Sequence, residues 1–336
     1  MGGGLITESS QDFVPLCHGW VLIGDSVRNR VVERNIISGE TGKTYSFGQI
    51  PDQFTVDEEN GVIFMTVHPE TQRLYKLDLN TGSFSANTVT QNIGGFTYRW
   101  TLRDLALGED GNVFALMFDN ILRDPANGIP FAQSGLWLGL MSESANFLTT
   151  SIPLEDPVRV EYDDVLDHVF LATASNLATF DFDTVTNTLT FLPNTDIAVG
   201  SSCTDFTTSP DGTRIAYACP NGNRSTQNFS IVDMAPDDYF YSDGEWFLGS
   251  SPVSATFNNA GTILIATDND KLYFFDVVTH LILEDFDLGL LEGEAIRKIR
   301  ISLDGNYLLI FLNNEVHDES SKFYWMPMPA ITGTPL

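Results

Sequence analysis

Three aspartates, Asp52, Asp104 and Asp205, open apolar segments at comparable points in successive stretches of the chain. Carboxylates brought to one depth by separate elements can surround a hard divalent cation such as calcium with oxygen ligands. Aspartates at strand starts also cap backbone amides, so a purely structural role competes with the metal role. A second constellation is Phe96-Thr-Tyr-Arg-Trp-Thr-Leu-Arg103. In an extended chain, Phe96, Tyr98 and Trp100 share one side and Arg99 takes the other. Aromatic faces beside cations suit sugar rings, peptides or a protein surface, and the same alternation also suits a strand packing inward. The chain has no G-x-S-x-G elbow, no H-E-x-x-H and no glycine-rich phosphate loop. Its five histidines are scattered, and Asp268-Asn-Asp270 starts like a calcium loop that Lys271 and the apolar run after it break.

Residues so far apart need a repeating scaffold to meet. Ser209-Pro-Asp-Gly-Thr-Arg-Ile-Ala-Tyr-Ala218 joins a polar turn to a short apolar run of strand character. Related units start at Glu59, Glu109, Asn259 and Leu303, with degenerate copies at His18 and Asp167. Aligned on the glycine or its equivalent, the copies sit at 19, 61, 111, 167, 212, 261 and 305. A period of that length with short strands and glycine turns predicts a β-propeller with one copy per blade. The expectation is an all-β, seven-bladed propeller of four-stranded antiparallel blades spanning 10–336. Residues 1–9 are expected as a flexible lead or as an added strand that closes the ring; the tail Ala330–Thr334 is the other source for that strand.

The turns Asn80-Thr-Gly82, Asp183-Thr-Val-Thr-Asn187 and Asp276-Val-Val-Thr-His280 follow the third strands of their units. In this the chain resembles the surface-layer and quinoprotein-like (YVTN-type) propeller repeats, a resemblance that implies architecture alone. The His and Trp-Asp signatures of WD repeats are missing. The aspartate trio is similar to that of calcium-dependent propeller lactonases, which implies a metal-dependent hydrolase as the alternative function. Met-Gly-Gly-Gly-Leu resembles the start of a mature bacterial lipoprotein, implying a lipid anchor in the native form and a periplasmic or cell-surface location.

Composition narrows the partners. The chain has 336 residues, 45 acidic against 17 basic, for a net charge of −28. Such a surface repels phosphates, which argues against nucleic acid and anionic lipid. No apolar run approaches the roughly 18 residues of a membrane span. Of the three cysteines, Cys203 and Cys219 lie symmetrically about Asp211. If that turn closes a hairpin, they face each other across adjacent strands within disulfide reach; two buried thiols are the alternative, and Cys17 is left over either way.

Propeller topology then sorts the loops. With the first strand of each blade innermost, the tight turns after first and third strands share one face. The loops after second strands and the links between blades share the other. Long segments gather on that second face, among them Thr90–Arg103, Asp119–Ser134 and Pro193–Ser202. The acidic, tyrosine-bearing Ala235–Gly244 is the exception. Most of the few cations map to the loop-rich face as well, either to bind or to pair with nearby acids. The expected function is therefore a non-enzymatic, extracytoplasmic binding or scaffold propeller. Its partner is a protein or polysaccharide, met at Tyr98, Trp100, Arg103, Arg123 and Arg159 on blades three and four. No cofactor is expected beyond calcium at Asp52, Asp104 and Asp205.

Overall fold

Seven antiparallel sheets follow one another along the chain in this computed structural model. It describes residues 2–4, 12–25, 28–46, 48–57, 59–68, 72–93, 96–120, 136–148, 152–154, 157–173, 176–192, 197–198, 205–218, 229–234, 240–246, 252–268, 270–314 and 322–329. The innermost strands are Phe13–Pro15, Ile50–Asp57, Phe96–Leu107, Pro157–Asp163, Asp205–Thr208, Ser254–Phe257 and Glu294–Ile301. Each packs against the inner strand of the next blade, and the seventh returns to the first. The molecule is thus a closed seven-bladed β-propeller. Its only helical elements among the described residues are single 3₁₀ turns at Cys17–Gly19 and Glu109–Gly111, and no described helix is long and apolar enough to cross a membrane.

The ring is fastened by the N-terminus. Gly2–Gly4 pairs with Lys322–Pro327 and supplies the outer strand of blade seven, in the register Gly2↔Trp325 to Gly4↔Phe323.

Local chemistry explains why the turns recur. In Ser209-Pro-Asp-Gly and Ser302-Leu-Asp-Gly, the serine hydroxyl donates to the aspartate (Asp211, Asp304) and accepts the N–H of Arg214 or Tyr307. The glycine takes the left-handed conformation that side chains resist. At Gly212 an added Cβ would also stand 2.7 Å from Asp163 Oδ1 of the preceding blade. After the third strands, Asp78, Asp183 and Asp276 accept the N–H groups two and three residues ahead, forming Asx turns. Donation from Thr81, Thr186 and Thr279 holds these three carboxyls below their usual range.

The core lies between blades, where side chains of facing sheets interdigitate; Phe114, Leu138, Val169 and Phe180 are one such layer. Two strands differ from the sequence reading. The inner strand of blade three is twelve residues, Phe96–Leu107, and its first part pairs with an extra strand, Thr90–Ile93. The segment expected as an entry loop is therefore a hairpin, because Thr90–Ile93 offers Phe96–Arg99 a free edge. In blade five the outer strand is Phe240–Trp246, so the C-terminal half of the expected loop Ala235–Gly244 is paired with Phe229–Met234.

Candidate functional site at the channel mouth

Every inner strand carries the same two-residue signature where it enters the channel: a polar residue, then a buried apolar one. The pairs are Asp12-Phe13, Gln53-Phe54, Asp104-Leu105, Arg159-Val160, Asp205-Phe206, Ser254-Ala255 and Lys298-Ile299. In blades two, three, four and seven, the pairing of inner and second strands slips by one residue just before or at the polar member. These slips are β-bulges, which re-aim side chains and recur beside binding sites. They release Asp52–Gln53, Arg103, Val158 and Arg297 from the pleat. At the blade-two bulge, the N–H of Gln53 finds the Thr66 hydroxyl, 3.1 Å away.

The polar ring stitches neighbouring blades together. Asp12 accepts the N–H of Phe54 at 3.3 Å, Asp104 that of Val160 at 2.9 Å, Asp205 that of Ala255 at 3.4 Å and Ser254 that of Ile299 at 3.1 Å. Each bond runs from the polar member of one blade to the apolar member of the next. Where the polar member is a cation, it does the equivalent work by charge. Arg159 pairs with Asp205 and lies over Phe206 at 5.6 Å. Lys298 pairs with Asp12 and lies over Phe13 at 5.7 Å.

Two residues further along, on the same side of their strands, stand Glu161 and Arg300. Arg300 reaches Asp205 at 3.1 Å, while Glu161 accepts the Thr208 hydroxyl at 3.1 Å. A cavity of about 410 Å³ opens above this ring, lined by Asp12, Asp52, Gln53, Arg103, Asp104, Arg159, Asp205, Arg297 and Lys298 among others.

Burial governs the electrostatics. It lowers the pKa of Arg159 and Arg300, with their mutual repulsion adding to the shift of Arg159. It pulls Lys298 down to about 8, against the attraction of Asp12. It raises Glu161, and pushes Asp104 up to about 6 against the pull of Arg159 and the Val160 N–H.

The Asp104 shift has a testable sign. The folded carboxyl holds its proton to a higher pH than the ordinary 3.8, so ionised Asp104 disfavours the fold above pH 6. That penalty fades as pH falls from 6 towards 4. Asp104→Asn keeps an acceptor for Val160 without the charge. Its stability relative to the parent is expected to rise by up to about 3 kcal/mol between pH 4 and pH 7, at 1.36 kcal/mol per pKa unit. Urea midpoints for both proteins across this range test it; parallel pH profiles would contradict it.

The expected site residues divide as follows. Asp52, Asp104, Asp205, Arg103 and Arg159 all line the one cavity. Trp100 does not belong there: it is fully buried, edge-to-face with Trp137 at 5.6 Å, in the core layer containing Val89 and Leu102. Its side chain fills the space between blades two and three, so the ligand-contact expectation is corrected to a packing role. Tyr98 lies on the blade-three hairpin opposite Gln91, with its side chain outside the described residues. Arg123, Cys203 and Cys219 also fall outside them, although the neighbours Asp205 and Ala218 do face each other across paired strands.

The aspartates meet at one cavity with cations between them, and no three His, Cys, Asp or Glu side chains converge as a metal-binding group among the described residues. Other cations of the loop-rich face settle locally, as Arg28 and Arg30 do on Asp25 at 3.2 and 2.8 Å.

Asp12, Gln53, Arg297, Lys298 and Arg300 complete the site; Arg297 and Lys298 belong to the cations expected at the loop-rich face, whereas the sequence reading overlooked Asp12, Gln53 and Arg300. The polar-then-apolar pair at each inner strand was the available signal.

No family model matches the chain, and no curated protein matches it. Solved structures do. A functionally unknown protein from Desulfotomaculum acetoxidans DSM 771 superposes with a TM-score of 0.65 at 12% identity, covering 94% of this chain and 96% of that one. Kuenenia stuttgartiensis hydrazine synthase gives 0.63 at 11%, covering 93% of each chain. Streptogramin B lyase gives 0.63 at 11%, covering 97% and 96%. At such identities the likeness is one of fold.

Proposed function

We propose that this chain is a non-enzymatic binding or scaffold propeller, working outside the cytoplasm from a lipid anchor in its native form. It engages a protein or polysaccharide through the loop-rich face around the channel mouth. One observation carries this reading. Of the channel carboxylates, Asp12, Asp104, Asp205 and Glu161 are held by backbone amides, hydroxyls or cations of adjoining blades. Groups so engaged cohere the ring and are poorly placed to act as an acid–base pair or an open cation cage. The cavity above them, rimmed by bulged side chains, remains for recognition.

Two measurements test it. Millimolar calcium should leave the melting temperature unchanged, and lactones should hydrolyse at the buffer rate. A resident ion would instead add about 2.7 kcal/mol at a hundredfold excess over its dissociation constant. Stabilisation by calcium, with lactone turnover lost in Asp52→Asn, would replace this reading with the metal-dependent hydrolase in which Asp52, Asp104 and Asp205 hold the metal. Polysaccharide arrays and envelope extracts probed with the parent and with a Tyr98→Ala/Arg103→Ala/Arg123→Ala variant give the second test. The parent should retain a partner that the equally stable variant loses; equal retention would move the site off this face.

A further inference from the structure

The face opposite the channel mouth, where the tight turns lie, holds a second cleft. It measures about 880 Å³ and opens between the turns of blades two, three and four. Val56 and Leu107 line it with apolar surface, and Asp57, Glu59, Asp110 and Asp164 add four carboxylates. Among the described residues no cation lines the cleft, and no ion pair joins any of these four acids to a cation. Blade three makes the room. Where its inner strand ends, blades five, six and seven carry Ser209, Asn258 and Ser302, each accepting the N–H of a residue returning from the turn. Blade three has Gly108 at that point, and a Cβ there would stand 2.9 Å from the Phe114 ring. The cleft therefore meets bare backbone where those blades have a side chain. An apolar crest stands beside it. In blade four, Val165 and Leu166 follow Asp164 in the first turn and are 57% and 36% exposed, while Val185 in the second turn is 89% exposed. The two turns lie side by side, with the Phe182 N–H donating to the Asp167 carbonyl at 2.8 Å. A single exposed apolar side chain is ordinary, whereas several grouped beside a cleft suit a contact surface.

We infer that this turn face docks a basic protein segment, whose lysine or arginine side chains enter the cleft and whose apolar neighbours cover Val165, Leu166 and Val185. The surface is separate from the channel mouth and does not depend on the function proposed there. Charge complementarity selects the partner. The cleft's carboxylates have no cation of this chain to meet, and a guanidinium or ammonium group from outside supplies one. A lone metal ion does not fit, because no three of the acids converge on one point among the described residues. A small polyamine would meet the charges but leave the crest uncovered, so cleft and crest together favour a protein. Arginine beside apolar side chains is also the composition enriched at the centre of protein interfaces. The net charge of −28 steers such a segment toward the molecule, most strongly at low salt.

Fluorescence anisotropy on the full chain tests this with two labelled peptides of equal charge. One is lysine–leucine–arginine–leucine–lysine; the other has serine in place of leucine, and spermidine serves as competitor. The leucine peptide should bind one to one, at least about tenfold more tightly than the serine peptide, as burial of two leucines predicts. Asp110→Asn with Asp164→Asn should weaken both peptides by about tenfold; asparagine keeps the left-handed conformation that Asp110 adopts. Val165→Ser with Val185→Ser should weaken the leucine peptide alone. Both double variants should keep the parent's melting temperature, since all four side chains are exposed. Val278→Ser and Asp285→Asn, exposed on blade six, should change neither affinity. The Tyr98→Ala/Arg103→Ala/Arg123→Ala variant should bind the leucine peptide as the parent does, which keeps this test apart from that of the channel mouth. No binding of the leucine peptide, equal binding of the two peptides, or equal losses in the blade-six variants would overturn the inference. So would spermidine competing as well as the leucine peptide itself, which would make the cleft a small-polycation site.

Discussion

Asp205→Ala is expected to destabilise the protein by about 3–5 kcal/mol, the range for breaking a buried ion pair from one side. Asp205 accepts the Ser254 hydroxyl and the Ala255 N–H, and holds both Arg159 and Arg300. Removing it leaves two guanidiniums side by side where burial already disfavours their charge. The blade-six N–H loses its acceptor at the same time, so three blades loosen together. Against the 5–15 kcal/mol typical of whole domains, the change is severe. Denaturant midpoints measure it. Adding Arg159→Met and Arg300→Met to the Asp205→Ala background should recover part of the loss, because the repulsion goes with the charges. A loss below about 1 kcal/mol, or no recovery, would mean that water serves the arginines as well as Asp205 does.

Trp100→Ala should produce an effect of similar size, about 3–5 kcal/mol, by opening a cavity in a packed layer. Trp100 touches Trp137 and Phe147 at ring-centroid distances of 5.6 and 6.3 Å and has no exposed surface. Trp100→Phe keeps much of the volume and should cost less. The pair separates packing from recognition. A packing residue changes the melting temperature in proportion to the volume removed, with any binding loss following the unfolding. Normal stability in Trp100→Ala with binding abolished would restore the ligand-contact role.

The comparison of these two residues shows where sequence reasoning succeeds. Asp205 sits at a strand start, where residue type and position alone suggest a backbone-capping role; that the capped amide is Ala255 of the next blade is set by the ring. The alternation Phe96, Tyr98, Trp100 is equally compatible with a sugar platform and with an inward-facing strand. Only the neighbouring blade, whose Val62, Phe64 and Leu74 share one buried layer with Trp100, distinguishes them.

The recurring turns are legible because their causes are local. Gly212 at positive φ, the Asx turns of Asp78, Asp183 and Asp276, and the serine–aspartate bond at Ser209 each involve residues within five positions of one another. From them the period, the blades and the antiparallel order follow without reference to distant parts of the chain. The mouth is different in kind. Whether Arg103 or Arg297 points into the channel depends on one extra residue in the pairing with the second strand, and a slip of one position turns a side chain to the other face. Which acid meets which cation depends on residues brought from far along the chain, as with Lys298 and Asp12. Ring closure did the same for blade seven, whose outer strand, Gly2–Gly4, comes from the opposite end of the chain. Short-range turn chemistry wrote the propeller into the sequence; the charge pattern of its mouth exists only once seven separate strand ends share one channel.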